Sequence, residues 1–377
     1  MLKKIIILCF IFTKANAQNI RLDLNDVTLL LPLPIASEIN LLPVANTEAA
    51  LGALLPKSIV VEKIPTLLQL TPNETLYPLL HAVGFRVDPC FKEGSDASVK
   101  CKTQIRVVWQ PLTTKGDKVS SIDVTLHTFY ELSESQFQSL VTELKQLKLH
   151  ATVSTDNIPL LVNPVLRKEG LNGPYYKKLL AIFYKYIGEI NLSRITFMQL
   201  FGGETVWFFG GIDIKNAEVT RITIPRIHNT IQQFANTLTT SFRGGIAPAP
   251  KQADNLNIFL GDSSQLTLAN EEDIIKAAKA AFKFENPKLH NPGTVDCVSC
   301  HLAQPVRVFA MKEFPQLNLD LLGTDFIYTG ENLLNNSSLQ NNTNVARIFG
   351  YFEDQPITTQ RVINESAEVV KYIEANY

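Results

Sequence analysis

The densest chemistry in the chain lies in the run Cys297-Val298-Ser299-Cys300-His301. Two thiols three residues apart, followed at once by an imidazole, place two sulfur nucleophiles and a metal-binding nitrogen within five residues. Such a set admits several chemistries. The thiols could cycle as a redox disulfide, although the flanking residues lack the βαβ pattern of a thioredoxin-like site. They could hold zinc, which would need one or two further ligands, and thiolates are uncommon zinc ligands in oxidising compartments. They could also form a plain structural crosslink. A second pair, Cys90 and Cys101, flanks the polar stretch 91–100 and lacks the C-x-x-C spacing. A disulfide there would close a short loop and restrict the unfolded chain by roughly 2–3 kcal/mol.

The C-x-x-C-H pattern resembles the haem-attachment motif of c-type cytochromes. The resemblance implies one covalent haem c, with Cys297 and Cys300 joined to its vinyl groups and His301 as the proximal iron ligand. It covers these five residues only. A small class I cytochrome draws its second axial ligand from a Met tens of residues downstream, whereas no Met or His follows Met311 here. The candidates for the distal position are therefore His290, in the loop before the motif, and Met311, provided Pro305 breaks the proximal helix. Met198 qualifies only if the preceding part of the chain folds onto the haem, and its setting between Phe197 and Leu200 reads as core packing. Arg347, Arg307 and Arg361 are candidates to pair with a propionate. His81, His127, His150 and His228 are scattered without metal-ligand spacing and read as ordinary surface or core histidines.

The N-terminus supports export. Lys3 and Lys4 precede a short apolar run over residues 5–12, and Ala15-Asn16-Ala17 forms a small-residue cleavage site before Gln18. That is the pattern of a secretory leader over residues 1–17, which would remove Cys9 with it. The expected location is the periplasm or surface of a bacterium, where paired cysteines are the rule. No later apolar stretch is long enough to span a bilayer, so no integral membrane segment is expected. The 377 residues carry a formal net charge of −1, which removes a broad electrostatic case for nucleic acid. P-loop, G-x-G-x-x-G, H-E-x-x-H and G-x-S-x-G motifs are absent.

The expected fold class is α+β: a mixed strand and helix N-terminal region, followed by a mainly helical, cytochrome c-like haem domain. In residues 18–150, strands are expected at 27–31, 58–61, 105–109 and 122–126. A helix follows, opened by the capping box of Ser133 and Gln136, with Phe137, Leu140, Val141, Leu144 and Leu147 on one face. A second α+β segment, residues 151–242, offers a helix from Pro174, a three-stranded meander over 195–224 and a helix over 227–238. The aromatic run Trp207-Phe208-Phe209 reads as strand core. Residues 243–254 form a Gly/Pro linker. Residues 255–377 form the haem unit, with a helix capped by Asn270 and another over 361–376. Asn335 to Asn344 reads as a polar loop. The stretch around Asp88-Pro89-Cys90-Phe91 and Cys101, with 105–111 beyond it, resembles uncharacterised exported bacterial proteins and implies no activity.

The function these readings predict is electron transfer through one covalent haem, with a redox partner protein. An open sixth iron position would instead give peroxidase-like chemistry or ligand sensing, and the large N-terminal part keeps a haem-free secreted binding or structural protein in view.

Overall fold

A computed structural model describes residues 20–92, 100–201, 206–235, 252–261, 263–319, 325–330 and 347–377. The predicted leader, residues 202–205 within the expected meander, linker residues 243–251 and the Asn-rich stretch 335–344 lie outside them. The chain is α+β, built on a nine-stranded antiparallel sheet.

The strands are β1 (Thr28–Leu30), β2 (Leu80–Phe91), β3 (Lys102–Lys115), β4 (Lys118–Ser121), β5 (Thr125–Leu132), β6 (Leu192–Phe201), β7 (Val206–Lys215), β8 (Glu218–Arg221) and β9 (Ile231–Ala235). The order across the sheet is β1-β2-β3-β5-β6-β7. The far edge of β7 is shared, with β8 pairing its residues 212–215 and β9 its residues 206–210. β4 extends the far end of β3. Cys90 and Cys101 are disulfide-bonded, as their spacing led one to expect, and close the β2–β3 connection.

One face of the sheet is covered by α1 (Glu134–Lys148), α2 (Pro164–Glu169) and α3 (Pro174–Tyr184). The expected capping box opens α1, and its apolar stripe is buried. Phe85 of β2 stacks on Phe183 of α3 at 4.6 Å between ring centroids. The other face receives the C-terminal segment: α4 (Glu271–Glu285), α5 (Cys297–Glu313), the hairpin β10 (Phe349–Phe352) and β11 (Gln355–Thr358), and α6 (Gln360–Asn376). α6 lies over β2 and α5 over β7 and β9. The apolar side chains of this segment belong to the same buried cluster as those of the sheet. The layers are therefore helix, sheet and a mixed helix–hairpin cover.

Three expected elements differ: the strand expected at 122–126 begins only at Thr125, as β5, and two others change type. Residues 58–61 form a helical turn, Ile59–Lys63, because no strand lies alongside and Ile64 N closes back on Ile59 O. The helix expected over 227–238 is instead strand β9 within its described part. There Gln232 and Phe234 alternate inward, and Phe234 stacks on Trp207. The helix through Pro305 does not break; α5 runs on to Glu313. Among the described residues no helix is long and apolar enough to cross a membrane.

Candidate functional site

The motif occupies the first turns of α5. Cys297, Cys300 and His301 stand at positions i, i+3 and i+4, so helical geometry places them on one face. Asp296 caps the helix, accepting from Ser299 N at 3.0 Å. All three motif side chains line one cavity between α5, the open face of the sheet and the β10–β11 hairpin. Its volume is about 220 Å³, some fifteen times what a single water needs by the same measure. The motif residues are half-buried by accessibility, and the surface they keep faces this interior. Both thiols are free. Burial pushes Cys297 upward in pKa and Cys300 to about 11, so in the absence of a bound metal both favour the thiol at neutral pH.

The opposite wall is the sheet, and its register sets what faces the cavity. Three cross-strand rows run over it. The first is Arg86, Arg106, Phe129, Arg194 and Asp213. The second is Gly84, Val108, His127, Thr196 and Gly211. The third brings Thr125, Met198 and Phe209 together. The glycines are not spare positions: a Cβ on Gly84 would sit 2.6 Å from the Phe349 ring, and one on Gly211 2.6 Å from Ile222 Cδ1. Phe349 and Ile222 thus lie over the two ends of the middle row and form apolar cavity walls. Phe209 packs against the His301 ring, with centroids 4.6 Å apart and planes inclined by 54°.

Charge gathers at one end. Arg86 contacts Glu365 and stands 3.6 Å from Asp88. Arg106 is 3.9 Å from Asp88, with its guanidinium over Phe129 at 4.6 Å. Arg361 donates to Glu365 at 2.6 Å and to the carbonyls of Phe284 and His290, each at 2.8 Å. Three guanidiniums therefore share two carboxylates. The Nε atoms of Arg86 and Arg106 are buried without a hydrogen-bond partner. Burial, with repulsion from Arg86, lowers Arg106 to about 10. Glu365 moves the other way: burial opposes its charge, but Arg361, Arg86 and Arg106 outweigh that and hold it well below the usual range. This cluster also borders a cleft of about 580 Å³ lined by Lys92, Lys288 and Lys371.

The other residues singled out in the sequence fall in different places. His290 lines the cleft, not the cavity of His301. Its ring nitrogens lie 3.3 Å from Thr294 Oγ1 and 3.2 Å from Asp254 Oδ2, and its ring packs on Phe284. Met311 shares α5 with His301, and its sulfur lies 3.8 Å from Arg307 Nη1. Arg307 is engaged by Glu285, away from the cavity. Arg347 reaches the cavity wall but pairs with Asp123 and covers Phe352. Arg86, Arg106, His127 and Phe209 were not assigned to the site from sequence, whereas Met198, considered only conditionally, lines it. Comparison of the chain with protein-family models, with curated proteins and with solved structures finds no match.

Proposed function

We propose that the chain is an exported c-type haem protein that transfers electrons, with one haem attached through Cys297 and Cys300 and ligated by His301. The observation that carries this reading is the arrangement of those three side chains, on one helical face, opening into a single, largely apolar cavity. The haem would lie between the sheet and the C-terminal cover, so the N-terminal region would supply half of its walls.

The chain's own residues suit the group. Each thiol, held as S–H by burial, can add across one vinyl group; sulfur bonds one carbon, the hydrogen goes to the other, and no oxidant is consumed. Phe349, Ile222 and Phe209 offer apolar contact to a flat macrocycle. The unpartnered Nε atoms of Arg86 and Arg106 offer donors to propionates beside the outer cleft. A bare ion suits the site less well, since no three His, Cys, Asp or Glu side chains among the described residues form a metal-binding group. When bound, haem supplies a one-electron ferric/ferrous couple, which a redox partner protein would fill or drain. The Cys90–Cys101 disulfide supports an oxidising location such as the periplasm or cell surface.

The test is expression in an export-competent host with haem-attachment machinery, followed by a pyridine haemochrome spectrum and intact mass. One haem per chain, retained after denaturation and lost in Cys297→Ala/Cys300→Ala, is the expected result. A mature chain without covalent haem under these conditions overturns the proposal.

A further inference from the structure

Opposite the motif, the sheet turns one imidazole toward the cavity. His127 lies on β5, in the middle of the row Gly84, Val108, His127, Thr196, Gly211. Its row neighbours are small, and the ends of the row are roofed by Phe349 and Ile222 because glycine leaves the room. His127 is therefore the one long polar side chain that this row raises into the cavity. Its accessible surface faces the cavity, and its imidazole has no hydrogen-bond partner among the described residues.

We infer that His127 supplies the second axial nitrogen to a haem held by Cys297, Cys300 and His301. The inference rests on the covalent-haem reading and adds the ligand set. The facing groups agree with the role. The charged and titratable neighbours that act on the ring are Arg106 from the adjacent strand β3, Arg86 from β2 beyond it and His301 from α5. The ring faces the cavity with no hydrogen bond among the described residues tying up its nitrogens, which leaves a lone pair for a metal. The competing side chains are less well placed. His290 is engaged by Asp254 and Thr294. Met311 lies ten residues along the same unbroken helix as His301, about 15 Å along its axis, and stays on the proximal side. Met198 lines the cavity but is only 5 % exposed, and its cross-strand partner Phe209 already fills the space against the His301 ring.

The experiment uses the haem-loaded wild-type chain and three variants, with haem content measured in each by pyridine haemochrome. The wild type should be low-spin in both oxidation states and lack the long-wavelength sulfur-to-iron band. His127→Gly should turn high-spin with haem content retained, and added imidazole should restore the low-spin spectrum. His127→Met, which keeps a side chain of similar reach, should gain the sulfur-to-iron band. Met198→Leu should keep the low-spin state. A low-spin spectrum that survives in His127→Gly without imidazole, a sulfur band in the wild type, or loss of the low-spin state in Met198→Leu each overturns the ligand assignment while leaving covalent haem intact. A wild type without haem overturns both readings.

Discussion

Gln232 of β9 grips the start of the motif helix from two sides. Its Nε2 donates to Asp296 Oδ2 at 2.8 Å, and its Oε1 accepts from Val298 N at 2.9 Å. Asp296 is fully buried, caps α5 through Ser299 N and has the Arg226 guanidinium 3.7 Å from its other oxygen. The rotation of α5 about its axis, which decides where Cys297, Cys300 and His301 point, is thus fixed by a strand edge and a buried carboxylate.

Asp296→Ala should accordingly cost more than an exposed cap. The cap itself is worth about 1 kcal/mol, and loss of the buried carboxylate that Gln232 Nε2 and the Arg226 guanidinium face adds about 1–3 kcal/mol. Urea denaturation should show a total loss of about 2–4 kcal/mol, with a lower yield of haem-loaded protein. A loss within 0.5 kcal/mol of zero, of order the scatter for unconstrained surface sites, would show that the clamp does not hold the helix.

Arg106 gives a prediction of opposite sign. Its charge is buried with only a distant share of Asp88, and its lowered pKa means that the charged form is disfavoured in the folded state. Arg106→Met leaves Asp88 with Arg86 and removes this strain, so the haem-free chain should gain about 1–3 kcal/mol at pH 7. A base whose pKa is lowered to about 10 on folding sheds its proton earlier in the folded state than in the unfolded one, so the wild type begins to recover the cost as pH rises past 10. The gap between variant and wild type should therefore hold steady below pH 10 and narrow as pH rises above it in urea titrations. The haem-loaded variant should release its haem contacts more readily, seen as a faster spectral change under denaturant. A variant less stable than wild type at pH 7 would mean that Arg106 is well paired after all.

The motif and the disulfide were legible because both are local: i, i+3 and i+4 on a helix, and two cysteines around a polar loop. The α1 capping box and the strands at 105–109 and 195–212 were legible for the same reason. The cavity was not. Its far wall draws on Arg86, Arg106, His127, Met198 and Phe209, which only the strand register brings together. Alternation along Thr125, His127 and Phe129 reads as the wet face of a half-buried strand, and period two cannot tell bulk water from an internal hollow. The one available signal was glycine within strands, at Gly84 and Gly211, which marks a close approach rather than a turn.

The Cys90–Cys101 bond should act on the cavity as well as on stability. It ties the end of β2 to the start of β3, next to Phe91, which lines the cavity and has Arg106 at 5.7 Å from its ring. Closing an 11-residue separation is worth about 3 kcal/mol on the loop-entropy model. Cys90→Ser/Cys101→Ser should lose about 2–3 kcal/mol in urea denaturation, and dithiothreitol should destabilise the wild type but not the variant. Equal sensitivity of both to the reductant would place the effect elsewhere.

The shape of the hollow can be changed by a single methyl. A Cβ at Gly84 meets Phe349 Cε1 at 2.6 Å on one side and the backbone oxygen of Leu29 at 3.0 Å on the other. The oxygen belongs to the β1–β2 ladder and cannot retreat, so the Phe349 ring must move into the cavity. Gly84→Ala should therefore cost about 1–3 kcal/mol, as overpacking of a dense interior does. It should also shrink the space beside His127, so that haem loading falls further than stability does. Phe349→Leu in the same chain removes the clashing atoms and should recover part of both. If the double variant is no better than Gly84→Ala alone, Phe349 is not the group that reads the missing side chain, and the apolar wall over the middle row is drawn wrongly.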